Sequence, residues 1–472
     1  MKLKLTPIFL LLFIAVLFSR CNTVDTNKDI KPNILFFLVD DQRDNVMSCA
    51  GHPVVQTPTV DKLADNGIRF TNVFVTTSIC AASRASIFTG LYESKHNFTF
   101  GKPPIKIDFI KISYPYLLKQ SGYNTGFVGK LGVNLEQQDS MLSEMFDYYR
   151  LSPRNSPYFV KLPDGSRRHS AEIKGDQAVE YINMQTVDQP FCLSISFNAV
   201  HAVDGNKTPG NEGHYPYPAA VAHLYENIEM PEPELSDPEI FKKHPEFLKE
   251  SMNRIRYFWR WDTKEKYQIN MRAYFRMISG YDNVMNRVIA ALKEKGLDKN
   301  TVIIFSADNG YYMGNRGFAG KWTHYEESLR VPMIICDLRT TGGERGKTSD
   351  KIALNIDIPA TILDYAGISI PGTYQGRSLL PVVENENTGP WRKSFFCEHR
   401  MEIKEIPKYV GIHGERYVYA KYYEQDPPYE FLHDLEDDRD QLKNLVDIPG
   451  YEEILKEMRR ECENMEWEIK NK

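Results

Sequence analysis

Four stretches of the chain are apolar almost without interruption and end in a polar group: 33–41 (NILFFLVDD), 122–130 (GYNTGFVGK), 190–201 (PFCLSISFNAVH) and 301–310 (TVIIFSADNG). Unbroken apolar runs of this kind predict strands buried on both faces, as in a parallel sheet. Stretches at 114–120 and 277–295 predict helices between them. Alternating strands and helices predict an α/β fold, with a mostly parallel central sheet flanked by helices. Past about Arg392 the texture changes. The stretches 415–423 and 429–435 predict antiparallel strands, and a charged helix is expected over 451–469. A large domain over 21–390 and a smaller C-terminal α+β subdomain over 391–472 are therefore expected.

Ligands in such sheets bind beyond the carboxyl ends of the strands. The four runs end at Asp40 and Asp41, at Lys130, at His201, and at Asp308 and Asn309. One polar strand end is commonplace; four together predict a single site. The N-terminus reads differently. Lys2 and Lys4 precede an apolar run over 8–18, which is too short to span a bilayer and has the form of a signal-peptide core. A signal peptide over 1–20 is expected, and with it export. Cys21 is then either the lipidated first residue of a lipoprotein or an incidental cysteine.

Composition adds exclusions more than assignments. The 472 residues carry a net charge of −5 and are 42% hydrophobic and 26% charged, ordinary for a globular protein with ample core. No basic face is implied, so nucleic acid is not an expected partner. Among seven cysteines no metal-binding spacing occurs. Apart from Cys21 and Cys80 they read as buried small hydrophobes.

The stretch 78–90 (SICAASRASIFTG) holds the most concentrated chemistry. A short helix over 83–88, closed by Thr89 and Gly90, would put Cys80 near its N-terminus, where free N–H groups favour an anion. Arg84, one turn on, carries a fork suited to a tetrahedral oxyanion. Either Cys80 is a nucleophile or the precursor of one, or it is a buried cysteine beside a helix with Arg84 in a surface ion pair.

The sequence CAASRASIFTG resembles the sulfatase signature: Cys, any residue, Pro or Ala, Ser, Arg, a spacer, then Thr-Gly. Further segments match the same family in order: 32–43 (PNILFFLVDDQR), 301–310, 320–332 (GKWTHYEESLRVP), 356–368 (IDIPATILDYAGI) and 431–445 (FLHDLEDDRDQLKNL). The chain is identified as a member of the type I, formylglycine-dependent sulfatases of the alkaline-phosphatase-like superfamily. The resemblance implies that a maturation enzyme oxidises Cys80 to formylglycine. It implies one divalent cation, usually calcium, held by Asp40, Asp41, the modified Cys80, Asp308 and Asn309, all oxygen donors suited to a hard ion. Arg84, Lys130 and Lys321 would hold the sulfate. His201 would bind substrate and protonate the departing alcohol, and Asp308 would relieve the nucleophile of its proton. In the implied chemistry one hydroxyl of the hydrated aldehyde attacks sulfur and the other later expels sulfate. The implied substrate is a sulfated carbohydrate or polysaccharide, a glycosaminoglycan or an algal glycan. With the export signal this points to the periplasm or the outer membrane of a bacterium, with a lipid anchor as the only membrane contact.

Three positions depart from the pattern. Ala82 replaces the commoner proline. Gly132 stands where Gly-Lys-x-His has its histidine, and Arg316 stands where histidine is frequent. His324 is the expected substitute base. The stretch 254–261 (RIRYFWRW) either stacks on sugars and binds neighbouring anions or is a helix packed through its aromatics. His96 and His214 either line the pocket or are structural. The rival functions are a phosphodiesterase or phosphonate hydrolase of the same superfamily, and a sulfated-glycan-binding lipoprotein without turnover.

Overall fold

The computed structural model describes residues 31–100, 103–153, 156–205, 207, 213–340, 346–385 and 388–471. The expected signal peptide and Cys21 lie outside them. No described helix is long and apolar enough to cross a membrane.

An eight-stranded sheet organises the chain. Its order is Lys347–Ser349, Ile68–Phe70, Met333–Asp337, Thr301–Ala307, Asn33–Val39, Phe191–Ser196, Asn124–Lys130 and Tyr148–Ser152. The last five of these run parallel, while Met333–Asp337 is antiparallel to both its neighbours. All seven residues of Asn33–Val39 and of Thr301–Ala307 are buried. That explains their unbroken apolar pattern: a central strand in a covered sheet has no wet face.

Helices cover both faces. Side chains alternate along Asn124–Lys130, so neighbouring residues report opposite sides. A Cβ at Gly126 would meet Tyr181 of the helix Ser170–Asn183. Phe127 instead faces Phe88 of the helix Cys80–Thr89, ring centroids 6.0 Å apart. The 31-residue helix Lys264–Glu294 lies on the Ser170–Asn183 side. It begins 13 residues before the expected helix at 277. The expected helix at 114–120 is present as Tyr114–Gln120, on the side of Cys80–Thr89.

A second, antiparallel sheet follows, ordered Ser394–His399, Tyr409–Gly414, Tyr417–Tyr422 and Tyr429–Asp434. The terminal helix Glu452–Asn471 packs against it. From Lys31 on, both sheets belong to one compact unit.

Candidate active site

The four expected strand ends are adjacent in the sheet, and all four strands run parallel, so their carboxyl ends open on one edge. The chain beyond them is stitched together by backbone bonds. The Asp308 N–H donates to the Val39 carbonyl at 3.0 Å, Asp40 to Ala199 at 2.9 Å, and Gln42 to Asn309 at 3.0 Å. Asp41 adopts φ 54°, a left-handed turn that a short polar residue tolerates.

The helix Cys80–Thr89 starts three residues earlier than expected, so Cys80 is its first residue. No side chain caps that N-terminus, and all ten residues are buried. Gly90 ends the helix at φ 69°, with its N–H on the Ser86 carbonyl at 2.8 Å. Arg84 is buried, not a surface residue. Its Nε donates to Asp308 Oδ2 at 2.7 Å and its Nη1 to the Lys130 carbonyl at 2.8 Å. Its Nη2 lies 3.4 Å from Asp40 Oδ2. The surface-ion-pair alternative for Arg84 is thereby removed.

Lys130 Nζ pairs with Asp40 and Lys321 Nζ with Asp41. Asn309 Nδ2 donates to Asp41 Oδ1 at 2.7 Å. His201 Nε2 faces Asp41 Oδ2 at 3.8 Å, and its Nδ1 lies 2.7 Å from the Ala202 carbonyl. The imidazole keeps 26% of its surface open. It lines a cavity of about 410 Å³ together with Cys80, Lys130, Tyr158 and Asp204.

Electrostatics sort these groups. Burial works against ionisation of Asp40, but Lys130, His201, Arg84 and Lys321 outweigh it and hold the carboxyl well below the usual range. Asp308 goes the other way: burial and the neighbouring Asp40 push it up to about 6 despite Arg84 and Lys130. Burial lowers the His201 imidazole, and Asp41, Asp40 and Asp204 pull against it. Burial also opposes the charge on Lys130, yet Asp40 and the other anions of the site raise it.

The donor set fits a hard cation. Ligand atoms of Asp40, Cys80 and Asp308 lie within 4.8 Å of one another, as do those of Asp40, Asp41 and His201. Asp40 Oδ1 and Asn309 Oδ1 are buried with no hydrogen-bond partner in the protein. Buried polar atoms are rarely left so, and oxygens of this kind suit a cation such as calcium.

The departures resolve unequally. Gly132 sits at φ 76°, and a Cβ there would come 2.4 Å from Arg84 Cδ. Arg316 turns away from the site: its Nε donates to Glu327 at 2.8 Å and its guanidinium reaches the carbonyls of Asp440 and Gln441. His324, the expected substitute base, is misplaced for that role. Its ring nitrogens face the Tyr422 hydroxyl at 3.0 Å and His433 at 3.3 Å, in the C-terminal sheet. A residue three positions after Lys321 looks close in sequence, but the loop carries its ring in among Tyr422, Phe431 and His433 of the C-terminal sheet. His96 is buried with its nitrogens on Ser86 and the Phe98 N–H, and His214 is buried against Asn270.

The stretch 254–261 falls mainly in the helix Met252–Arg260. Arg254 packs over Phe241 and Tyr257, while Arg256 and the fully buried Arg260 grip Asp204 at 2.7 and 2.6 Å. Asp204 was not singled out from sequence. Its only signal is its place three residues beyond His201. Asn253 of the same helix holds the Lys321 carbonyl at 2.6 Å.

A family model described as sulfatase matches residues 32–368. The chain belongs to the sulfatase family. As a sulfatase it is a hydrolase of sulfuric esters. A second model, described as the C-terminal part of N-sulphoglucosamine sulphohydrolase, matches 314–468. The sulfatase is 28% identical to an N-acetylglucosamine-6-O-sulfatase of Bacteroides thetaiotaomicron, over 99% of this chain and 92% of the relative. It is 24% identical to an ulvan-active sulfatase of Formosa agariphila, over 93% of this chain and 82% of the relative. A solved structure in complex with its substrate, D-glucosamine-2-N,6-O-disulfate, superposes with a TM-score of 0.80 at 25% identity, covering 94% of this chain and 99% of that one. A phosphonate monoester hydrolase of Agrobacterium radiobacter superposes with a TM-score of 0.77 at 21% identity, covering 93% and 96%, which shows a shared fold.

Proposed function

We propose that this sulfatase removes sulfate esters from carbohydrates, with 6-sulfated glucosamine units the first substrate to test. Similarity along 99% of the chain to an N-acetylglucosamine-6-O-sulfatase carries the choice of sugar. The site also has what the chemistry needs. Arg84, Lys130 and Lys321 are buried cations converging on the Cys80 end of its helix, and they bind the sulfate and balance its charge. His201 Nδ1 is committed to the Ala202 carbonyl, so Nε2 faces the departing sugar oxygen, and in the imidazolium form that Asp41, Asp40 and Asp204 favour it gives that oxygen a proton. Asp308, with a carboxylate oxygen within 4.8 Å of the Cys80 sulfur, is placed to accept a proton from the nucleophile at position 80.

When present, formylglycine at position 80 supplies a hydrated aldehyde as nucleophile and calcium polarises it. Asp40, Asp41, Asp308 and Asn309 are the residues to hold the ion. The mature protein is exported to the periplasm or outer membrane, anchored through Cys21 if that residue is lipidated.

The first test is the mass of the tryptic peptide 70–84 from native material, beside sulfate release from glucosamine 6-sulfate. An aldehyde at position 80 with sulfate release is expected. An intact thiol with no release would overturn the reading. A second measurement isolates the acid. His201→Ala should slow hydrolysis of a sugar sulfate by roughly 10²- to 10⁴-fold. An aryl sulfate, whose phenolate leaves without a proton, should slow far less. Equal losses on both substrates would remove His201 from the acid role.

A further inference from the structure

A second cavity, of about 540 Å³, lies away from the site described above and shares no lining residue with it. One wall is built by strand geometry. Tyr429, Phe431 and His433 alternate along Tyr429–Asp434 and so project to the same face. Phe431 stands 5.0 Å from Tyr429 and 5.7 Å from His433, ring centroid to centroid. Tyr325 and Tyr451 also line the cavity.

Polar groups break this aromatic lining at a few points, and two of them lack a partner. His244, 7% exposed, has Nδ1 on the Tyr325 hydroxyl at 3.4 Å and a buried Nε2 with no protein partner. Gln441, 2% exposed, uses its carbonyl oxygen on the Glu326 N–H, and its buried Nε2 has no partner. In the tautomer whose Nδ1 accepts from the Tyr325 hydroxyl, the one we assign, the His244 proton sits on Nε2. Both orphans are then donors. Buried donors normally find an acceptor.

Charge points the same way. Among the described residues that line it, none is an aspartate or glutamate, while Lys243, Lys443 and the Glu327-paired Arg316 all line the cavity. Lys243 and Lys443 are exposed, and among the described residues neither ammonium has a carboxylate within ion-pair distance. The volume falls inside the range of small-molecule sites, roughly 300–1,000 Å³.

We propose that this cavity is a second carbohydrate site, taking one sugar ring that bears an anionic group. The ring lies against the aromatic wall, Gln441 and His244 donate to its oxygens, and Lys243 and Lys443 meet its charge. The shared chemistry is a carboxylate or sulfate on a hexose, so the ligand is a uronic acid or a sulfated sugar. That choice of ligand rests on the carbohydrate reading of the catalytic site.

The test uses the Cys80→Ala protein, which has no nucleophile or oxidisable group at position 80, in ligand-observed NMR and crystal soaks with glucuronate and, separately, glucosamine 6-sulfate. Electron density in the second cavity is expected with at least one sugar. A Lys243→Glu, Lys443→Glu double variant should weaken that binding by roughly tenfold or more while leaving hydrolysis of an aryl sulfate by the otherwise wild-type enzyme unchanged. Glucuronate carries no sulfate ester, so its binding reports on this cavity whatever the fate of the catalytic reading. Binding of glucuronate alone assigns the site to uronic acids, and binding of the sulfated sugar alone assigns it to sulfates. No sugar density in the second cavity, or affinity unmoved by the double variant, overturns the proposal even where sulfate release from glucosamine 6-sulfate proceeds. Failure of that release with the cavity still binding glucuronate would overturn the catalytic reading and leave this one standing.

Discussion

Gly132 and Arg84 constrain each other. Arg84 spans from Asp308 to the Lys130 carbonyl, and its aliphatic part crosses the space a side chain at 132 would fill. The glycine also sits at φ 76°, which a β-carbon disfavours. The missing histidine at 132 is therefore not a simple vacancy that mutation can refill. Gly132→His should lower sulfatase activity, and Gly132→Ala should lower it by a similar factor, because the clash begins at Cβ. A loss of roughly tenfold or more in kcat/KM is expected for both, corresponding to about 1.4 kcal/mol or more of lost transition-state stabilisation. Steady-state kinetics on an aryl sulfate checks this. A Gly132→His enzyme faster than the parent would mean that Arg84 yields and that a histidine was the missing part.

Among elements, the central strands were legible because a parallel strand covered on both faces leaves an unbroken apolar run, and their polar ends mark the sheet edge. The strands Ser394–His399 and Tyr409–Gly414 were not, since burial on both faces coexists there with Glu398, His399 and His413. Those buried polar groups spoil the apolar signal, and only tertiary contact explains them. The candidate site residues were legible through motif resemblance, whereas the grip of Arg256 and Arg260 on Asp204 joins residues 52 and 56 positions apart and left no local pattern.

Glu398 shows what such a junction costs. It meets Glu93 of the short helix Glu93–His96 in the interior. Glu93 accepts from Thr77 at 2.8 Å, and Glu398 from the Ser94 N–H at 2.9 Å. Burial first, then Glu398, pushes Glu93 up to about 8. A carboxyl raised in the folded state adds stability that is full below its unfolded value, near 4.5, and is lost as pH rises through about 8. The wild type should therefore lose stability relative to Glu93→Gln between pH 5 and 8, seen as a Tm difference that shifts by roughly 2 °C or more. Parallel Tm curves for the two proteins would show that Glu93 does not hold its proton in this window.

At the scale of the molecule, the two sheets are joined by a loop that also carries Lys321, one of the proposed sulfate-binding cations. Arg316 adopts φ 57° between Gly314 and Gly317, packs its guanidinium 4.2 Å from the Tyr325 ring, and donates at once to Glu327 and to the carbonyls of Asp440 and Gln441. One side chain thus ties the catalytic sheet's loops to the segment following the last strand of the second sheet. The same loop continues to Lys321, whose ammonium meets Asp41. A planar fork with several donors is what this geometry demands, and histidine at 316 would supply at most two. The residue that looked like a catalytic loss is a structural gain. Arg316→Ala leaves Glu327 buried without its cation, a change that typically costs about 3–5 kcal/mol. We expect a Tm lowered by several degrees and a reduced kcat, because Lys321 loses the anchor of its loop. Arg316→Lys keeps the charge but not the fork, and should fall between the two. Calorimetry and aryl-sulfate kinetics on the three proteins decide it. An Arg316→Ala enzyme with unchanged Tm would show that the two sheets are held together elsewhere. An enzyme with lowered Tm and unchanged kcat would show that Lys321 is positioned by Asn253 and the helix Met252–Arg260 without help from the latch.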